Sequence, residues 1–135
     1  MKAITLYQPW ATLVALGVKT IETRSWYTGY RGPIAIHAGK SNEHVYLARY
    51  HDPFRQALLA ADPEKPFDFP LGAVVATATL YDVLATEDVR EDPFGDFRPG
   101  RFAWMLRDII RLEPPVAARG HQRLWDWTSE GVERC

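Results

Sequence analysis

The sequence predicts a mostly β chain with helical insertions, an α+β domain whose roughly six short strands close, or nearly close, into a small barrel. Three observations point there. Runs of alternating or β-branched residues recur at 3–7, 19–26, 34–38, 73–81 and 102–106. Helical spacing is confined to short stretches at 9–16, 42–50 and 54–61. Prolines and glycines punctuate the chain between these runs. A closed sheet leaves no exposed edge, which favours a barrel; an α+β sandwich is the other arrangement open to these elements. The 135 residues suit one domain, 1–135, with one core.

Residues 3–7 alternate and read as the first strand. Pro9 then opens a short helix over 9–16, at a position where its missing N–H goes unused. Trp10, Leu13, Val14 and Leu16 keep helical spacing, and Gly17 is placed as a left-handed cap. Residues 19–26 form the second strand. Thr20, Glu22, Arg24 and Trp26 share one of its faces, and Ile21, Thr23 and Ser25 the other. A turn at 28–33 leads to a third strand with Ile34, Ile36 and Ala38 inward and His37 opposite. Asn42 is placed to cap a helix reaching residue 50, Asp52-Pro53 interrupts it, and 54–61 makes a further turn or two. Residues 62–71 are a proline-rich, acidic surface loop. Residues 73–81 are the most β-like run in the chain. The polar stretch 86–100 is a loop, 102–106 a strand, and 109–112 its continuation past a bulge. Pro114-Pro115 leads into an extended segment that ends with Leu124, Trp125 and Trp127.

The composition, 47% hydrophobic and 24% charged, is that of an ordinary globular protein. The lone cysteine, Cys135, excludes an intrachain disulfide. No stretch approaches about 18 unbroken apolar residues, and the first residues are too alternating for a signal peptide. A cytoplasmic protein without a membrane span is therefore expected. Net charge is −1, against indiscriminate coating of DNA. The charge is nevertheless segregated. Residues 1–60 carry seven basic and three acidic side chains, 61–96 two and nine, and 97–125 six and two. Folding that joins the two basic blocks would present one face to a polyanion.

No metal or cofactor site is expected. His44 and His51 stand about 10 Å apart along a helix, no cysteine pair or H-E-x-x-H occurs, and Asp92 and Asp96 do not follow a calcium-loop spacing. A glycine-rich phosphate loop is absent as well.

The densest functional cluster is Gly17-x-Lys19-Thr20-x-Glu22-x-Arg24. A helix ends and a strand begins at once, so Lys19 lies at the strand's mouth. Glu22 and Arg24 sit about 6–7 Å apart on one face. Arg offers phosphate a planar fork. A carboxylate beside it can orient the Arg, accept from a base amino group, or act as a general base. A plain surface Glu–Arg pair is the alternative, and such a pair contributes little. His37 and Lys40 form a second candidate group, with Lys40 at a strand end ahead of a helix. Trp10 and Trp26 are the candidate stacking aromatics. Trp104, on a face with Phe102 and Leu106, reads as core.

Gln8-Pro9-Trp10-Ala11 followed by Gly17-Val18-Lys19-Thr20-Ile21-Glu22-Thr23-Arg24-Ser25-Trp26 resembles the ASCH signature G-x-K-x-x-E-x-R. Arg31-Gly32-Pro33-Ile34-Ala35-Ile36-His37-Ala38, Leu71-Gly72-Ala73-Val74-Val75-Ala76 and Trp104-x-Leu106 resemble that family's later strands, in order. The resemblance implies a PUA-like β-barrel with a helix near a cleft lined by the signature residues. It also implies RNA or nucleotide binding. One enzyme type resembling this family deacylates N4-acetylcytidine with a lysine, a threonine and a glutamate. Lys19 matches its lysine, but Glu22 stands where its threonine would be, and the third member would fall near Glu87 or Glu91. Ribonuclease activity is ascribed to other members.

The expected function is binding of single-stranded RNA or a nucleotide or modified nucleoside, through Lys19, Glu22, Arg24, Trp26, Trp10, His37 and Lys40. The alternative is a hydrolase acting on RNA or on an acylated nucleoside, with Glu22 as general base and Lys19 stabilising negative charge. A third reading is a protein-interaction domain using the acidic 61–96 region.

Overall fold

The structure, a computed structural model, describes residues 1–128; Cys135 lies outside them. In chain order the elements are β1 (Lys2–Leu6), α1 (Trp10–Ala15), β2 (Ile21–Arg24), β3 (Gly32–Ala38), α2 (Tyr46–Tyr50), α3 (Phe54–Ala61), β4 (Ala73–Ala85), a 3-10 turn (Thr86–Asp88), β5 (Phe102–Ala117) and β6 (Trp125–Asp126). The six strands form one mixed sheet in the order β2-β5-β4-β3-β1-β6. Only β1 and β3 run parallel, with Ile4 opposite Ile36; the other pairings are antiparallel. The expected α+β architecture and strand number are present. β2 and β6 are the two edges of the sheet, so backbone hydrogen bonds do not close it into a ring.

The core follows the sequence periodicity. Ile4, Leu6, Ile34, Ile36, Leu80, Trp104 and Leu106 face one side of the sheet and pack on Ala11 and Val14 of α1. Leu13, on the opposite side of α1, packs with Ala48, Phe54 and Leu58 of α2 and α3. The first helix is thus enclosed between the sheet and the helical layer, and Ala11 through Ala15 are all buried. On the other face of the sheet, Ala3, Ala35 and Val74 are covered by Trp125 and Trp127 of the C-terminal segment.

Three local expectations need adjustment. β4 and β5 run longer than read, to 13 and 16 residues, because the end of each pairs antiparallel with the start of the other: Asp82 to Ala85 lie opposite Met105 to Phe102, and Arg111 to Ala117 opposite Ala76 to Ala73. The bulge foreseen between 106 and 109 falls at Asp108, whose φ of 55° lets the ladder resume. Asn42 does not cap a helix. α2 begins only at Tyr46, after a turn in which the Val45 N–H donates to the Asn42 carbonyl. Lys40 therefore stands at the end of β3 and not at a helix N-terminus. Among the described residues no helix is long and apolar enough to cross a membrane.

Candidate functional site

The site begins with the way α1 ends. Gly17 adopts φ +76°, its N–H donates to the Val14 carbonyl at 2.9 Å, and the Val18 N–H donates to the Leu13 carbonyl at 3.0 Å. This left-handed cap reverses the chain. Lys19 lands inside the protein, only 1% exposed. Its ammonium donates to the Ile21 carbonyl and, at 2.6 Å, to Glu22 Oε1.

β2 then displays Glu22 and Arg24 on one face, opposite Trp104 and Phe102 of β5. Arg24 Nη2 lies 2.9 Å from Glu22 Oε2 and donates to the Thr5 carbonyl at 2.9 Å. Glu22 is thus clamped, one oxygen on each cation. Burial raises its pKa, but the charges and hydrogen bonds of Lys19 and Arg24 outweigh that and hold the carboxyl below its ordinary value. Arg24 Nε has no hydrogen-bond partner among the described residues.

This triad lies in the wall of a cavity of about 590 Å³, whose lining also includes Thr5, Tyr7, Trp10, Thr23, Trp26, Gly95, Asp96 and Arg101. The loop before β5 forms its far side. Trp10 Nε1 donates to the Phe94 carbonyl at 2.7 Å, and the Asp96 N–H donates to Thr23 Oγ1 at 3.1 Å. Trp26 meets Trp104 edge to face at 4.8 Å. Asp96 is drawn down to about 2, chiefly by its hydrogen bond to Arg98.

Of the expected site residues, Lys19, Glu22, Arg24, Trp26 and Trp10 line this one cavity. His37 and Lys40 do not. They line a second cavity of about 530 Å³ together with Thr5, Leu6, Tyr7, Arg24, Ser41, Arg119, Gly120, His121, Gln122 and Arg123. His37 is buried beneath the 118–123 segment. Its Nε2 stands 2.7 Å from the Ala118 carbonyl, which can only accept, so Nε2 carries the proton. Nδ1 faces the Thr5 hydroxyl at 3.2 Å. Burial, joined by the His121 charge, holds the imidazole below its ordinary value against the Ala118 hydrogen bond, which acts the other way.

Arg119, His121 and Arg123 do not stand out in the sequence. The signal available is the basic excess of residues 97–125, and the second cavity does join that block, through Arg119 and Arg123, to Arg24 and Lys40 of the first. Asp96 and Arg101 are lining residues that sequence reasoning also misses, since only folding brings their loop against β2. Among the described residues no group of three or more His, Cys, Asp or Glu is placed to hold a metal ion.

Comparison with known proteins places the fold. The chain is 28% identical over 131 residues to Activating signal cointegrator 1 of Mus musculus and, at the same identity and length, to that of Homo sapiens. The match takes in 94% of this chain but 22% of each relative, so the chain spans about one fifth of their length. The fold is similar to the crystal structure of ASCH from Zymomonas mobilis, with a TM-score of 0.58, 16% identity, and coverage of 98% of this chain and 91% of that one. A tyrosine-to-phenylalanine mutant of the Zymomonas mobilis protein aligns with a TM-score of 0.57, 16% identity, and coverage of 98% and 94%. The ASCH domain pattern matches residues 4–115, a span that holds the Lys19–Glu22–Arg24 triad and most of the sheet. On that match the chain belongs to the ASCH domain family.

Proposed function

We propose that this ASCH domain binds single-stranded RNA or a nucleotide in the first cavity. The observation that carries the reading is Glu22, held ionised between Lys19 and Arg24 in the wall of an open cavity beside Trp26. Each carboxylate oxygen has lone pairs beyond the one given to its cation, so Glu22 can still accept from a base amino or ring N–H. Lys19, being buried, acts through Glu22 and not on the ligand. Arg24 and Arg101 supply donors, and the indoles of Trp26 and Trp10 supply apolar wall. The volume is that of a small-molecule site. A flat heterocycle with polar edges matches this lining.

One feature argues for binding over hydrolysis. A general base works best with a pKa near the operating pH, and Glu22 is moved away from it.

The test fills the cavity without touching the triad. Ser25 is exposed and lines it. With a panel of nucleotides and short RNAs, Ser25→Glu is expected to weaken binding by at least about tenfold, or 1.4 kcal/mol. Wild-type affinity in both Ser25→Glu and Trp26→Ala would overturn the reading.

A further inference from the structure

The second cavity differs from the first in charge. Its rim carries Arg24, Lys40, Arg119 and Arg123 and, among the described residues, no carboxylate. The first mixes Lys19, Arg24 and Arg101 with Glu22 and Asp96. Lys40, Arg119 and Arg123 enter no ion pair among the described residues. Cations that pair with no described carboxylate and gather around a concavity suit an anion, and the described lining has no acid to repel one.

The segment that brings two of these cations is pinned in place. The Ala118 N–H donates to the Gly72 carbonyl at 3.0 Å, its carbonyl accepts from His37, and the Thr5 hydroxyl lies 3.3 Å from the His121 carbonyl. Gly120 lies so close to His37 that an added Cβ would stand 2.5 Å from its Cε1. The backbone under Arg119 and Arg123 is thus ordered before any ligand arrives, which lowers the cost of binding. Arg123 holds φ 59° and lays its guanidinium over the Trp26 ring, 4.1 Å from the centroid. Stacking uses the face of the guanidinium and leaves its in-plane N–H donors available. Trp26 belongs to the first cavity, and Thr5, Leu6, Tyr7 and Arg24 line both. The two hollows are therefore adjoining compartments with Arg24 and the Arg123–Trp26 stack at their boundary.

We propose that the second cavity is a phosphodiester site, taking the sugar–phosphate backbone of a single-stranded RNA whose base occupies the first cavity. The inference rests on the reading of the first cavity as the base site. It adds residues beyond the family match, which ends at 115. It also selects a strand over a free nucleoside, because an uncharged nucleoside would leave these cations without a partner.

The test measures binding of a fluorescent random-sequence single-stranded hexaribonucleotide at several salt concentrations. The Arg119→Ala/Arg123→Ala variant is expected to bind at least about tenfold more weakly, with the slope of log K against log salt flattened by about 0.7 for each phosphate no longer neutralised. Inorganic phosphate is expected to compete far less well than unlabelled hexamer. Wild-type affinity and salt slope in the double variant overturn the proposal, even where Ser25→Glu abolishes binding and so upholds the base site. Binding that survives both Ser25→Glu and Trp26→Ala but falls in the arginine variant supports the backbone site and removes the base site. Phosphate competing as well as hexamer reduces the groove to an isolated anion site and overturns the strand claim. A wild-type protein that binds no hexamer at low salt removes both.

Discussion

Lys19 Nζ and Glu22 Oε1 lie 2.6 Å apart, the lysine 1% and the glutamate 13% exposed, with Arg24 closing on the other carboxylate oxygen at 2.9 Å. A motif that reads as two cations and an acid for a ligand is, in the folded chain, first a charge cluster that satisfies itself. Only the part of Glu22 and Arg24 turned to the cavity is left to serve a partner.

Removing Lys19 should therefore be costly to the fold. Lys19→Ala leaves a buried carboxylate with one cation, and breaking such a pair costs about 3–5 kcal/mol. Urea denaturation is the measurement. The double change Lys19→Met/Glu22→Gln should recover part of the loss, because it removes the uncompensated charge. A loss below about 1 kcal/mol for Lys19→Ala would show that the pair is solvated and not buried.

The cluster also sets a response to acid. The folded pKa of Glu22 lies below its unfolded value, so its contribution is fully present above the ordinary carboxylate range, near 4.5. It is lost as pH falls through the folded value. Stability measured across that range should fall more steeply in wild type than in Glu22→Gln. Parallel curves would contradict the assignment.

His37 acts at a higher pH with the same sign. Burial lowers its folded pKa, so the unfolded chain binds its proton first as pH falls below about 6.5. The His37 contribution is intact above that value and declines below it, down to the folded pKa. The groups around the ring are the Thr5 hydroxyl, the Ala118 carbonyl, Trp125 and His121. In His37→Gln the slope of stability against pH just below 6.5 should flatten, as read by thermal denaturation at closely spaced pH values.

Gly120→Ala is a steric test of the pinned segment. The new Cβ would meet His37 Nδ1 at 2.7 Å and Thr5 Oγ1 at 2.9 Å. Overpacking of this kind costs about 1–3 kcal/mol. Because the strain falls under Arg119 and Arg123, hexamer affinity should drop as well. An unchanged melting temperature together with unchanged RNA affinity would show that the segment yields freely.

Much of the fold is legible locally. Pro9, the apolar spacing of Trp10, Leu13 and Val14, and Gly17 define a short capped helix whatever lies around it. The alternation of Ile34, Ile36 and Ala38 assigns the buried face of β3, and the Val- and Thr-rich run from Ala73 marks β4. Asn42 misleads because its cap preference competes with a simple turn, and only packing of Ala48 against Leu13 and Leu58 decides where α2 begins. The ASCH signature gathers Lys19, Glu22 and Arg24 correctly into one place. It does not say that Lys19 faces inward, since that depends on how the chain leaves the Gly17 cap.

By itself the sequence determined the α+β class, the strand number, the first helix and the composition of the central triad, because those follow from short-range periodicity and backbone preference. Tertiary structure alone decided that the sheet is open at β2 and β6, that His37 and Lys40 belong to a second cavity, and that Arg119 and Arg123 stand beside Arg24. The physical reason is that electrostatic and packing neighbours are set by distance in space. Arg123 meets Trp26 only when the C-terminal segment crosses the sheet and β6 pairs with β1.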